Sequence, residues 1–210
     1  MRTLLTSLAL AAAALAPVHA QDAAAGAKKV AMCIGCHGIP GYQASFPEVH
    51  RVPMISGQNA GYIVAALQGY AKGDRKHPTM RGISGSLSEQ DMKDVAAFYE
   101  QQGKGEPAPA DVAAAPEALK DKLAACAACH GANFSKTLDG NHPKLAGQHA
   151  DYLLVALKSY QIKGQSTVGR GNAIMQGQVA ALSPAELKQI AKYLAGLPGE
   201  LKTVPQSATR

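Results

Sequence analysis

Apolar residues recur along this chain at helical spacing, and the same pattern is written twice. Tyr62, Ile63, Ala66, Leu67 and Tyr70 fall on one helix face, and Tyr152, Leu153, Ala156, Leu157 and Tyr160 repeat it. Met92, Val95, Ala96 and Tyr99 sit at i, i+3, i+4 and i+7, as do Leu187, Ile190, Ala191 and Leu194. Ser183 with Glu186 forms a capping box ahead of the last of these, with Pro184 in the first turn. Residues 22–32 and 117–125 predict one further helix in each half, the second carrying Leu119 and Leu123 at i, i+4. No segment alternates with the period of a strand, so the fold is predicted to be all-α.

The duplication extends between the helices. Pro53-Met54-Ile55-Ser56-Gly57-Gln58-Asn59-Ala60-Gly61-Tyr62 matches Pro143-Lys144-Leu145-Ala146-Gly147-Gln148-His149-Ala150-Asp151-Tyr152, and Leu87-Ser88 matches Leu182-Ser183. Two copies are too few for a solenoid, so two similar domains are expected side by side. An alanine-, proline- and glycine-rich stretch separates them. The expected organisation is a leader over 1–20, domains over 21–103 and 117–197 joined by a linker over 104–116, and a tail over 198–210.

The leader has Arg2, an apolar run from Leu4 to Pro17, and small residues at Val18-His19-Ala20. That is the layout of a secretory signal cleaved after Ala20, and the run is shorter than the ~20 apolar residues of a membrane span. Export is the expectation. Without Arg2 the 21 basic and 15 acidic residues become 20 and 15, a net charge of +5. Dispersed basic residues without a recognition motif argue against nucleic acid. They suit an acidic protein partner or peripheral association with an anionic membrane. With no tryptophan and ten aromatic residues (seven Tyr, three Phe), two separate cores would be thin, and small domains of that kind need a staple.

The four cysteines supply it. They occur as Cys33-Ile34-Gly35-Cys36-His37 and Cys126-Ala127-Ala128-Cys129-His130. A C-x-x-C pair alone reads as a disulfide, a redox dithiol or half a zinc site. Histidine directly after the second cysteine, twice over, is instead the attachment signature of c-type haem. The paired thiols reach the two vinyl groups of one porphyrin, and the histidine brings an imidazole to the iron. The expected iron ligands are therefore His37 and His130, with Cys33, Cys36, Cys126 and Cys129 bound covalently to two haem groups.

The opposite axial position takes methionine, a second histidine or nothing. Met80 and Met175 each lie seven residues before the matched Leu-Ser pair, in glycine-rich stretches expected to be loops, and are the candidates. Met32, Met54 and Met92 align with Ala125, Lys144 and Leu187 and are expected to pack or lie at the surface. His77 rivals Met80 but has no counterpart in the second half; His50, His142 and His149 also lack matched partners. Pro53 and Pro143 could offer a carbonyl to the ligand imidazole or only shape a turn. Tyr62 and Tyr152 could meet a haem edge or propionate, or pack in the core. Lys72, Asp74, Arg75, Lys76 and Arg81 put three net positive charges around Met80, which could steer an acidic partner or be an ordinary solvated loop.

On these motifs, with Thr79-Met80 and Ile174-Met175 ahead of the closing helices, the chain resembles the dihaem cytochromes c4 over residues 21–197. The resemblance implies two tandem class I cytochrome c domains, each wrapped around a covalent haem, with His–Met ligation and haems close enough for internal transfer. It implies a periplasmic electron carrier, not an enzyme, passing electrons from a quinol-oxidising complex toward a terminal oxidase, with no small-molecule substrate. The alternatives are a cytochrome subunit of a dehydrogenase and a dihaem redox enzyme. A thiosulfate-oxidising site needs a cysteine outside the two motifs, and there is none. The loop from Gln58 to Met80 is five residues shorter than from Gln148 to Met175, so partners carry over less directly than ligation.

Overall fold

The computed structural model describes residues 21–206, so the leader lies outside the described residues. The first half runs α1 (Ala23–Ala27), α2 (Ala31–His37), α3 (Ala60–Lys72), α4 (Pro78–Gly85) and α5 (Glu89–Gln102). The second runs from a 3-10 turn (Glu117–Leu119) into α6 (Lys120–His130), then α7 (Ala150–Gln161), α8 (Ala173–Val179) and α9 (Pro184–Gly196). The predicted stripes of α5 and α9 are buried throughout, whereas those of α3 and α7 are buried at Ile63, Leu67, Leu153 and Ala156 and half-buried elsewhere. Val30, Ile34, Ile63, Leu67, Met92, Val95 and Tyr99 form the first core. Leu119, Leu123, Phe134, Leu153, Ile190 and Leu194 form the second. Both closing helices begin with a complete capping box, Ser88 with Asp91 and Ser183 with Glu186.

Three expectations change. The predicted helix over 22–32 is divided at Lys28–Val30, because Asp22 caps a separate short helix that lies against α5. There Lys29 bridges Asp91 at 2.6 Å and the buried Asp94 at 2.9 Å, and the Asp22 N–H donates to Asp94 at 3.1 Å. The predicted loops around Met80 and Met175 are the short helices α4 and α8. Their starts are made by side-chain caps, with His77 accepting from the Met80 N–H and Asn172 from the Met175 N–H. Among the described residues four two-residue strands also occur, too short for alternation to register in the sequence. β1 (Gln43–Ala44) pairs antiparallel with β2 (His50–Arg51). β3 (Arg75–Lys76) pairs with β4 (Gly169–Arg170), Arg75 opposite Arg170, and so joins the two halves.

Candidate functional site

In the first half α2 ends on His37, and the chain returns through Pro53 before entering α3. The His37 Nδ1 lies 2.9 Å from the Pro53 carbonyl oxygen. The second half repeats this with α6, His130 and Pro143, again at 2.9 Å. A carbonyl only accepts, so each Nδ1 carries the proton and each Nε2 keeps its lone pair for a metal. Burial lowers both imidazoles from the ordinary histidine range, and the proline carbonyls offset this in part. Neutral imidazole is the form that ligates.

A cavity of about 380 Å³ opens beside His37. Cys36, His37, Met80, Pro53 and Tyr62 line it, together with the apolar Ile63, Ala66 and Leu67 of α3. It reaches the second half, where Pro143, Gln148, Tyr152 and Arg170 contribute. All four cysteines are partly buried, and none is paired in a disulfide. Burial pushes the thiols of Cys33 and Cys126 up. An apolar cavity of this size, with an imidazole, a thioether and a motif cysteine on its walls, fits a covalently held porphyrin. Met80 is partly buried against the first core, and Met175 is partly buried on α8.

The histidines set aside on sequence grounds have other occupations. His77 caps α4 and meets Phe46 and Tyr70 edge-on, at centroid distances of 5.6 and 6.4 Å. His50 is buried with its Nδ1 2.7 Å from the Glu48 carbonyl. His142 pairs with Asp139 at 2.8 Å, beside His130. His149 precedes α7. Met92 is core, Met32 is exposed and Met54 lines the cavity.

The sequence reading missed two groups. Arg75 turns inward, away from the expected steering surface, which leaves Lys72 and Arg81 exposed and Lys76 bonded to the Gln165 carbonyl. The Arg75 guanidinium donates to Tyr62 at 3.1 Å and Tyr70 at 3.3 Å and stacks over both rings. Arg170 does the same with Tyr152, at 3.2 Å, and lies over Tyr160. Among the described residues, neither arginine is in salt-bridge reach of a carboxylate, and the buried Arg75 Nε has no partner. Burial raises the Tyr62 phenol to about 12, with Arg75 offsetting only part. Burial would raise Tyr152 too, but Arg170 and Arg75 override it and bring that phenol down to about 8. The site calls for negative charge. Both arginines lie five residues before a candidate methionine, a repeated offset that could have exposed them. The second group is the glutamine pair Gln58 and Gln148, buried at the boundary between the halves.

The cytochrome c family profile matches residues 23–103 and again 112–198. Cytochrome c4 of Stutzerimonas stutzeri is 33% identical over 94% of this chain and all of its own length. A thiosulfate dehydrogenase electron acceptor of the same species is 30% identical over 82% of each chain. The crystal structure of reduced recombinant cytochrome c4 from Pseudomonas stutzeri superposes with a TM-score of 0.60 at 29% identity, covering 85% of this chain and all of that one. Among the described residues no helix is long and apolar enough to cross a membrane.

Proposed function

The chain belongs to the cytochrome c4 family, electron-transfer proteins with two tandem cytochrome c domains and two covalent haem groups, and we propose that it carries electrons in the periplasm from a quinol-oxidising complex toward a terminal oxidase. The observation that carries the site assignment is the duplicated 2.9 Å contact between a motif histidine and a proline carbonyl, which leaves one nitrogen per half free for iron. Haem supplies the one-electron iron couple.

In this reading Cys33, Cys36, Cys126 and Cys129 hold the porphyrins through thioethers, and His37 and His130 bind the irons. Met80 and Met175 would be the second protein ligands of the irons, a thioether choice that would favour a high potential and leave no site for a substrate. The domains span 21–103 and 117–197 with the linker between, after a leader cleaved at Ala20. Arg75 and Arg170, with their tyrosines, are suited to the carboxylates that a porphyrin carries, since a buried guanidinium without an anion is costly. Lys72 and Arg81 remain as exposed positive charges of this segment, with Asp74 exposed between them in sequence, and would steer an acidic partner.

The test of ligation is spectroscopic. Met80→His and Met175→His should each lower one potential and remove one of two Met–Fe(III) far-red absorption bands, with two haems per chain retained. A band that survives its substitution would mean another residue binds that iron. The relative named as a thiosulfate dehydrogenase electron acceptor favours a second reading, in which the donor is a periplasmic dehydrogenase. Co-purification with a quinol-oxidising complex or with a dehydrogenase separates the two.

A further inference from the structure

Gln58 and Gln148 lie two residues before α3 and α7, yet each bonds mainly to the other half. Gln58 Nε2 donates to the Lys144 carbonyl at 3.0 Å, and its Oε1 accepts from the Lys144 N–H at 2.8 Å. Gln148 Nε2 donates to the Met54 carbonyl at 2.9 Å, and its Oε1 accepts from the Met54 N–H at 3.0 Å. Each Oε1 also accepts from the next residue's own N–H, from Asn59 and from His149, at 3.0 Å. These contacts fix the orientation of both amides, because the reverse would set donor against donor. Gln58 is 4% exposed and Gln148 3%, so water cannot readily replace the bonds.

Lys144 directly follows Pro143, whose carbonyl meets His130, and Met54 directly follows Pro53, whose carbonyl meets His37. Each glutamine therefore grips the segment that orients the histidine of the opposite half. Asn59 adds a bond at 2.7 Å to the His142 carbonyl, just before Pro143.

We propose that Gln58 and Gln148 are positioning residues that act crosswise: Gln58 sets the carbonyl partner of the histidine for the second haem, and Gln148 that for the first. The inference rests on the axial ligands assigned above. A carbonyl held on Nδ1–H makes the imidazole a stronger donor and favours ferric iron. Loosening that carbonyl weakens the donation and raises the potential. The effect travels along one peptide unit, from the gripped residue to the proline before it. The first haem is thus tuned by the second domain, and the second haem by the first.

The test uses the far-red bands as labels on the fully loaded protein. In a Met80→His background the remaining band reports only the second haem, and in Met175→His only the first. Gln58→Met and Gln148→Met, which keep volume and lose both bonds, are placed in each background, and the potentials are measured by spectroelectrochemical titration. The expected result is crosswise: Gln58→Met raises the second haem's potential more than the first's, and Gln148→Met does the reverse. The Nδ1–H proton resonance of His130 in the reduced protein should move with Gln58→Met and stay with Gln148→Met. If Gln58→Met does not mature with two haems, Gln58→Asn, one methylene short, should give a smaller shift in the same direction. Shifts confined to the glutamine's own domain, or none at either haem, would overturn the proposal. Absence of the two bands from the unsubstituted protein would instead sink the ligand assignment, a separate outcome.

Discussion

Replacing Gly103 with alanine should unfold the first half far more readily than one added methyl suggests. Gly103 closes α5 and is buried, at φ −91°, a value any residue tolerates, so the penalty is purely steric. A Cβ there would lie 2.0 Å from the Gly57 nitrogen, 2.3 Å from the Gly57 Cα and 2.3 Å from the Ser56 carbonyl carbon. Carbon contacts relax only near 3.5 Å, so the turn before Gln58 must retreat by roughly 1.2 Å or more. All three obstructing atoms are backbone, so no rotamer change relieves them. That retreat would break the 2.8 Å bond from the Gly57 N–H to the Tyr99 carbonyl. A bond of that kind contributes about 1 kcal/mol and a buried unpaired N–H costs about 1–3 kcal/mol. Adding strain of about 1–3 kcal/mol for overpacking gives a loss of roughly 3–7 kcal/mol. Urea unfolding of the loaded protein, followed by Soret absorbance and far-ultraviolet circular dichroism, measures it. Gly196→Ala is the control: its Cβ meets nothing within 4 Å at the end of α9, and it should gain up to about 1 kcal/mol. If Gly103→Ala stayed within about 1 kcal/mol of the parent, the steric reasoning would be refuted.

Two further outcomes follow from charge. Arg75→Gln should lower the potential of the first haem, because a cation beside the porphyrin disfavours ferric iron, but should leave the salt dependence of electron transfer to an acidic acceptor unchanged; Lys72→Gln/Arg81→Gln should flatten that dependence, as rates measured against ionic strength will report. The Glu186 carboxyl is held down to about 2, first by Lys122 and then by the Ser183 cap. Its folded value is depressed, so its contribution is complete above the ordinary glutamate range and is lost as pH falls toward 2. Glu186→Gln should remove that part of the acid sensitivity of unfolding, with chemical denaturation at several pH values as the measurement.

The sequence by itself determined the cofactor chemistry and the helical cores. Covalent attachment needs five consecutive residues, and a buried helix face needs only local spacing, so Cys33 to His37 and the stripe through Ile63 and Leu67 could be read without a structure. The duplication then weighed against His77, whose counterpart three residues before the second methionine is Asn172. Both cap a short helix, which explains the shared position better than a ligand role does. Those helices, α4 and α8, escaped notice because seven or eight residues hold their shape through caps and packing rather than through a legible apolar stripe. Only the tertiary structure decided what lies between the halves. Arg75 reads as a solvated charge beside Lys76 until β3 meets β4 and turns its guanidinium onto two tyrosines. Gln58 and Gln148 read as one motif copied twice, but their partners lie 86 and 94 residues away. Periodicity describes which face of an element is buried. It carries no information about which other segment an element meets, and at Gln58 and Gln148 that segment belongs to the other copy.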